Sequence, residues 1–398
     1  MKSSFETARE KALSAVPRTG VIQLPLEDAL GCILAEDVVA KGPLPRWDNS
    51  AMDGFAVRAE ECSPEHALKV AGFIPAGSSA EFRVASGCAM KIMTGAPIPA
   101  GADTVVPVEE AEESHAGVCF PEKVRCGMHI RYVGEDVAIG ESVLPTGKRL
   151  RAAEISLLTS LGITEVAVAS PVRVALLSTG DELVAAGVQP GFGQVIDSNS
   201  PALAAAIREA GGEPVLLGIA ADNRGSLRKM LQFGLECDLL VTSAGISAGD
   251  LDLVAEILQE LGTEMQFTQV AVKPGKPTSF GLCGKTPIFS LPGNPVSALM
   301  MFEVFVRPVL LTMMGSSQPL RPLLQATLAE PLAKKPGRTF FIRVKAFVEE
   351  GLLYAISAGD QNTGIQKTLV DANAIAVLPE ESTGFAAGDK VPVILLGE

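Results

Sequence analysis

Several stretches place chemically able residues directly after apolar runs. VALLS leads into Thr179-Gly180-Asp181-Glu182, and VLLGI is followed closely by Asp222-Asn223. DLLVT opens into SAGISAGDLD, which carries Ser243, Gly245, Asp250 and Asp252. PIFSL is followed by Pro292-Gly293-Asn294-Pro295, and VAVKPGKP sets Lys273 and Lys276 around a Pro-Gly turn. Carboxylates crowded together repel unless a cation or hydrogen bonds offset the charge. Oxygen donors without His or Cys favour Mg2+ over zinc. Lysines and helix N-termini beside such a metal suit a phosphate. These residues point to a Mg2+–phosphate site with small residues that let a ligand approach the backbone.

Each stretch also has a plain structural reading. Asp250 serves equally well as the N-cap of LDLVAEILQELG, worth ~1 kcal/mol, and Asp252 would favour that helix's dipole. Taken alone, Lys273 and Lys276 read as solvated turn lysines. The familiar phosphate loops are absent: there is no GxxxxGK[ST], and GFGQVID lacks the third glycine of GxGxxG. Three further stretches hold acids or hydroxyls in Gly/Pro-rich settings. WDNSAMDGFAV carries Asp48, Asn49, Ser50 and Asp53; KIMTGAPIPAGAD carries Thr94; IRYVGEDVAIG carries Arg131, Glu135 and Asp136. Turn chemistry explains these as well as function does.

The elements that must position these residues follow from periodicity. From Pro171, apolar strand-like runs alternate with helical patterns such as SPALAAAIREAGG, NRGSLRKMLQFGL, DLVAEILQELG and VSALMMFEVFVRPVLLTMMG. That alternation predicts an α/β unit with a parallel-rich sheet, whose ligands bind outside the carboxyl ends of its strands. DGFAVRA, ALKVAGF, GCAMKIM and DTVVPVEE predict a small β-rich unit inserted at 46–131. The flanking segments 1–45 and 132–170 form one discontinuous N-terminal domain, with the first 42 residues read as helix, strand, helix, strand. The α/β domain covers 171–317, and a C-terminal β domain without helices, barrel or sandwich, covers 318–398. The fold class is therefore multi-domain, α/β plus β.

Composition narrows the function. The net charge of -13 disfavours nucleic-acid backbones and anionic membranes. One Trp and two Tyr leave little for aromatic stacking on bases. Seven scattered Cys without CxxC, and only three His, argue against disulfides, zinc and a histidine triad, and make a reducing cytoplasm the expected compartment. The N-terminus reads as an amphipathic helix rather than a signal peptide, and no run is expected to reach the ~18 apolar residues of a membrane span.

DNSAMDGFAV, IMTGAPIP, GED, STGDEL, DSN, TSAGISAGDLD, KPGKP and LPGNPVSA occur in this order across most of the chain. Together they resemble the molybdopterin molybdenumtransferase family, the MoeA-type enzymes and the gephyrin E domain. The resemblance implies a four-part architecture: an elongated N-terminal domain, an inserted β-rich domain, a molybdopterin-binding α/β domain and a C-terminal β domain. It implies an enzyme that cleaves adenylyl-molybdopterin and places molybdate, or tungstate, on the dithiolene, releasing AMP with Mg2+. Under it, Asp53, Asp136, Glu182, Asp222 and Asp252 match the family's functional acids, with Glu182, Asp222 and Asp252 as candidate metal ligands. Thr94, Lys273, Lys276, Pro292, Pro295, Arg131 and Arg343 match its substrate- or oxyanion-binding positions, joined by Ser243, Gly245, Asp250 and Asn294 from the strand-end loops. Spacing alone does not choose between Asp250 and Asp252. A homodimer whose cleft joins two subunits is also implied. The family's SGGVSVG reads SAGISAG here, with Ala244 and Ala248, and its usual Gly-Ser-Gly neighbourhood reads Asn362-Thr363-Gly364. The competing readings are a non-catalytic molybdopterin-binding scaffold, a tungstate-specific paralogue, and a nucleotide hydrolase sharing only the α/β domain.

Overall fold

The structure is a computed structural model that describes residues 2–79, 81–120, 124–243 and 253–397. Helix α1 (Phe5–Ala15) is capped by the Ser4 hydroxyl, which accepts the Thr7 backbone N–H, and buries Phe5, Ala8 and Ala12. Phe5 stands edge-on to Phe305 and Phe341, fastening the N-terminus to elements far along the chain. Strand Val21–Pro25 pairs antiparallel with Glu165–Ala169. The second N-terminal helix expected from sequence does not form. Pro25 and Gly31 leave room for little more than one turn, and only the 3-10 turn Leu26–Asp28 appears.

The four runs read as strands between Asp53 and Glu110 make one sheet, in the order Lys69–Ile74, Cys88–Ile92, Gly54–Val57, Thr104–Pro107. Helix α2 (Ala152–Ser160) follows, with Glu154 reaching back to the Arg151 backbone N–H.

The α/β sheet has six strands, in the order Glu213–Ala220, Arg173–Thr179, Leu239–Ser243, Thr286–Leu291, Ser279–Cys283, Thr263–Phe267. The first four are mutually parallel, Ser279–Cys283 runs against them, and Thr263–Phe267, antiparallel to that strand, runs with them again. Its strands read as continuous apolar runs because both faces are covered. Val174 and Leu176 pack with α3 (Asn199–Glu209) in one core. Ala175 and Leu177, the alternate residues, pack with α4 (Arg224–Gly234) and α5 (Leu253–Glu260) in the other. Helix α6 (Pro295–Met301) runs through a π-turn, Phe302–Val306, into α7 (Arg307–Met313).

This last run corrects an expectation. Pro295–Met313 is long and apolar enough to cross a membrane by length and composition, but 78% of its apolar window is buried inside the fold. Burial between a sheet and neighbouring helices selects the same composition as lipid does.

The C-terminal strands Leu323–Leu328, Thr339–Glu349, Leu352–Ser357, Ala374–Leu378 and Lys390–Leu395 close into a barrel, because Thr339–Glu349 pairs with both Leu352–Ser357 and Ala374–Leu378. The region is not free of helix, as α8 (Lys367–Asp371) lies within it. Val272–Lys273 adds to the barrel wall by pairing with Thr339 and Phe340.

Candidate functional site

Thr179, Ala220, Ser243 and Leu291 end the four parallel strands and so lie along one edge. Gly180 turns the chain there with φ +143°. A Cβ at this position would stand 2.5 Å from a Glu182 carboxylate oxygen, so glycine allows that side chain to fold back over the turn. The Asp222 backbone N–H donates to the Asp181 carboxylate at 3.0 Å. Burial, and then the charges of Asp181 and Glu182, push the Asp222 carboxyl above its ordinary range. Three carboxylates from two strand ends thus share one neighbourhood at an unfavourable charge. Among the described residues no group of three His, Cys, Asp or Glu side chains forms a ready metal cage. The chemistry of Glu182 and Asp222 still fits Mg2+, since a hard cation relieves the repulsion that raises Asp222. Gly245, Asp250 and Asp252, together with Ala244, lie outside the described residues.

Next to these acids is a buried polar network. Asp197 accepts the backbone N–H groups of Asn199 (3.0 Å) and Ser200 (3.1 Å) and the Ser200 hydroxyl (2.6 Å), which ties down the first turn of α3. Ser200 Oγ in turn lies 2.9 Å from Ser178 Oγ. Asn199 Nδ2 donates to Ser243 Oγ at 2.6 Å and to the Gly293 carbonyl at 2.8 Å. One amide therefore bridges the end of the central strand and the loop after the next. Asn199 Oδ1, Thr179 Oγ1 and Thr242 Oγ1 are buried without a partner among the described residues. Asn294 caps α6 by accepting the Val296 N–H, and Pro295 occupies its first turn. Pro292 is buried beneath that loop. Asp197, Asn199 and Ser200 were not singled out from sequence as site residues. Their signal was the Asp-Ser-Asn-Ser cluster before an Ala-rich helix.

The lysine loop belongs to the same edge, because Ser279 pairs with Ser290 at the end of its strand. Gly275 holds φ +100°, and a Cβ there would fall 2.3 Å from Met301 Sδ. Lys273 lines a cavity of about 600 Å3 together with Lys334, Lys335, Arg338 and Phe340. The Lys273 and Lys334 ammoniums stand 5.1 Å and 5.3 Å from the centre of the Phe340 ring. Lys334 is only 8% exposed and donates to the carbonyls of Pro379, Glu380 and Ser382. Burial pushes its pKa down. Lys276 is exposed on the turn and is not among the residues lining this cavity. Lys334, Lys335 and Arg338 were missed in the sequence, where LAKKPGR reads as an ordinary solvated run.

A second group forms in the inserted sheet. Asp53 Oδ1 accepts both the backbone N–H and the hydroxyl of Thr94, each at 2.7 Å, which holds its carboxyl below the ordinary range. Asn49 and Ser50 pair with Arg131 and Ile130, and Ser50 exchanges backbone bonds with Gly95 and Ala96. The stretches around Asp53, Thr94 and Arg131 are thereby brought together. Glu135 and Asp48 accept the backbone N–H groups of Tyr132 and Val133, so both do turn work. Arg131 and Asp136 are exposed beside that turn. This group stands on a different sheet from Glu182 and Asp222.

Arg343, which the resemblance matches to a substrate-binding position, is engaged by its own loop. It is 1% exposed, donates from Nε to Thr368 Oγ1 at 2.7 Å, and donates from Nη2 to the carbonyls of Asp360 and Asn362. Its work in this structure is to hold the loop containing Asn362-Thr363-Gly364.

Three family models match: MoeA N-terminal region (domain I and II) over residues 3–162, probable molybdopterin binding domain over 175–312, and MoeA C-terminal region (domain IV) over 325–396. The chain is 39% identical over 383 residues to molybdopterin molybdenumtransferase 2 of Mycobacterium tuberculosis, covering 94% of each. The chain belongs to the molybdopterin molybdenumtransferase family. Its similarity to the Haemophilus influenzae molybdopterin molybdenumtransferase is 35% identity, covering 98% of each chain. A Pyrococcus horikoshii molybdopterin biosynthesis MoeA protein has the same fold, with TM-score 0.83, 32% identity and full coverage of both chains. This transferase is thus an enzyme of molybdenum cofactor biosynthesis, built on the α/β-plus-β architecture expected from its sequence.

Proposed function

We propose that this transferase inserts molybdate into adenylyl-molybdopterin and releases AMP, with Mg2+ as cofactor. The observation that carries the reading is the juxtaposition, along one sheet edge, of mutually repelling carboxylates and a lysine loop that opens into a basic cavity. Cleavage of the adenylate breaks a phosphoanhydride bond and concentrates charge on phosphate oxygens. Mg2+ held by Glu182, Asp222 and Asp252 would neutralise that charge and fix its geometry. Lys273 and Arg338 suit an oxyanion, because guanidinium and ammonium donors match its oxygens. Asn199 keeps Ser243 and the Gly293 loop in register while a ligand sits above them. Asp53 and Thr94 stand on a separate sheet, and in the homodimeric cleft that the family resemblance implies one subunit would supply the strand-end acids and the other this pair.

The test is AMP release from adenylated molybdopterin by the purified protein, with molybdate and tungstate in separate arms. Release that needs Mg2+ and an oxyanion, and is lost in Asp53→Ala and Asp222→Asn while both variants remain folded, is the expected result. Tight pterin binding with no AMP formed under any of these conditions would overturn the enzymatic reading in favour of a scaffold.

A further inference from the structure

The opposite edge of the α/β sheet carries a second basic site. Helix α3 leaves the carboxyl edge at Asn199 and ends at Glu209, just before strand Glu213–Ala220 begins. Its last turn therefore lies far from the strand-end acids. There Arg149, Arg307 and Arg321, with Glu303 and Glu209, line a cavity of about 380 Å3. A smaller cavity of about 220 Å3, lined by Lys148, Arg149, Arg151, Arg307 and Ser317, shares Arg149 and Arg307 with the first.

Positive charge exceeds negative charge here, in a chain whose net charge is -13. One Glu303 oxygen serves both Arg321 Nε at 2.6 Å and Arg307 Nε at 3.9 Å. Lys148 and Arg151 share Glu154. Burial first, and then the charges of Arg321 and Arg149, lower the Arg307 pKa, with Glu303 working against them. The π-turn Phe302–Val306 falls here and immediately precedes Arg307; such turns are frequent at functional sites. The walls come from four parts of the chain, and Ser317 fixes two of them by donating its N–H and hydroxyl to the Gly147 carbonyl at 3.0 Å and 3.1 Å.

We propose that these joined cavities bind a small ligand with two adjacent phosphate-class groups, a diphosphate, one group in each cavity with Arg149 and Arg307 between them. Guanidinium forks match phosphate oxygens two at a time, and two cavities sharing two arginines suit two linked anions better than one. The inference stands on this geometry alone and is independent of the reaction proposed for the strand-end site.

Calorimetric titration of the full chain with inorganic pyrophosphate and, separately, with orthophosphate tests it. Pyrophosphate is expected to bind saturably and at least tenfold more tightly than orthophosphate. Arg149→Gln and Arg307→Lys should each weaken it at least tenfold, while Lys285→Ala, on an exposed turn outside these cavities, changes it less than twofold. Lys148→Gln alters a surface side chain and is expected to weaken binding about threefold, which separates loss of the site from loss of the fold. Equal affinity for the two anions, binding abolished by Lys273→Ala but kept in Arg149→Gln, or no saturable binding at all would each overturn the proposal.

Discussion

Asn199 offers the sharpest test of how the strand-end site is held. Its Nδ2 donates to Ser243 Oγ and to the Gly293 carbonyl, and the residue is 8% exposed. Asn199→Ala removes two hydrogen bonds, each worth about 1 kcal/mol net, and strands the buried Ser243 hydroxyl, at about 1–3 kcal/mol for a group left unsatisfied, while the Gly293 carbonyl belongs to an exposed residue. A loss of about 2–4 kcal/mol follows. Asn199→Asp behaves differently. A carboxylate facing the Gly293 carbonyl is repelled and desolvated, so its folded-state pKa rises above the unfolded value of about 3.9. The protonated acid can still donate one bond. Its stabilisation is therefore fully present below the unfolded pKa and is lost as pH rises through the folded pKa. Urea unfolding at pH 4 and pH 8 reads this directly. Asn199→Asp should exceed Asn199→Ala in stability at the lower pH, and that advantage should shrink at the higher one. Wild-type stability in Asn199→Ala, or a pH-independent difference between the two variants, would refute the tether.

Asp222→Asn should raise Tm at pH 7, because it removes a charge repelled by Asp181 and Glu182, and the gain should vanish below about pH 4, where wild-type Asp222 is protonated. Added Mg2+ should raise the Tm of the wild type more than that of Asp222→Asn in differential scanning fluorimetry. Gly275→Ala should cost about 2–5 kcal/mol, from a positive φ and a contact with Met301. Combining it with Met301→Ala should give a less than additive loss in a double-mutant cycle measured by chemical denaturation. Arg343→Met should cost about 3 kcal/mol or more, since it strips donors from Thr368, Asp360 and Asn362 inside the fold, and hydrogen exchange should rise first in the 360–364 loop.

The parallel sheet was legible because a strand covered on both faces has to be apolar throughout, as VALLS and DLLVT are. The strand-end acids were legible for a related reason: residues after such runs share one edge, whatever their loops do in detail. Lys334 was hidden because its partners are three carbonyls, which carry no signature in sequence. The burial of Arg343 could have been read from its strand. Arg343 lies two residues from Phe341 on one strand, so the pleat puts both on the same face, and Phe341 is in the core. The second N-terminal helix fails to form because Pro25 and Gly31 bracket a run too short for more than a 3-10 turn. The π-turn has no counterpart in periodicity, which assumes that every turn of a helix holds the same number of residues.

The lysine loop ties together two bodies of the molecule. Val272 and Lys273 are strand partners of Thr339 and Phe340 on the barrel, whereas Ser279 is a strand partner of Ser290 on the α/β sheet. The two are also packed together directly, since Phe341, Ile375 and Ile394 of the barrel share a core with Val174 and Phe289 of the sheet. Lys273 is fixed to the barrel strand, while Ser279, just beyond Lys276, is fixed to the sheet. The short stretch that carries both lysines is thus a splice between barrel and sheet, so a substitution within it is felt by both at once.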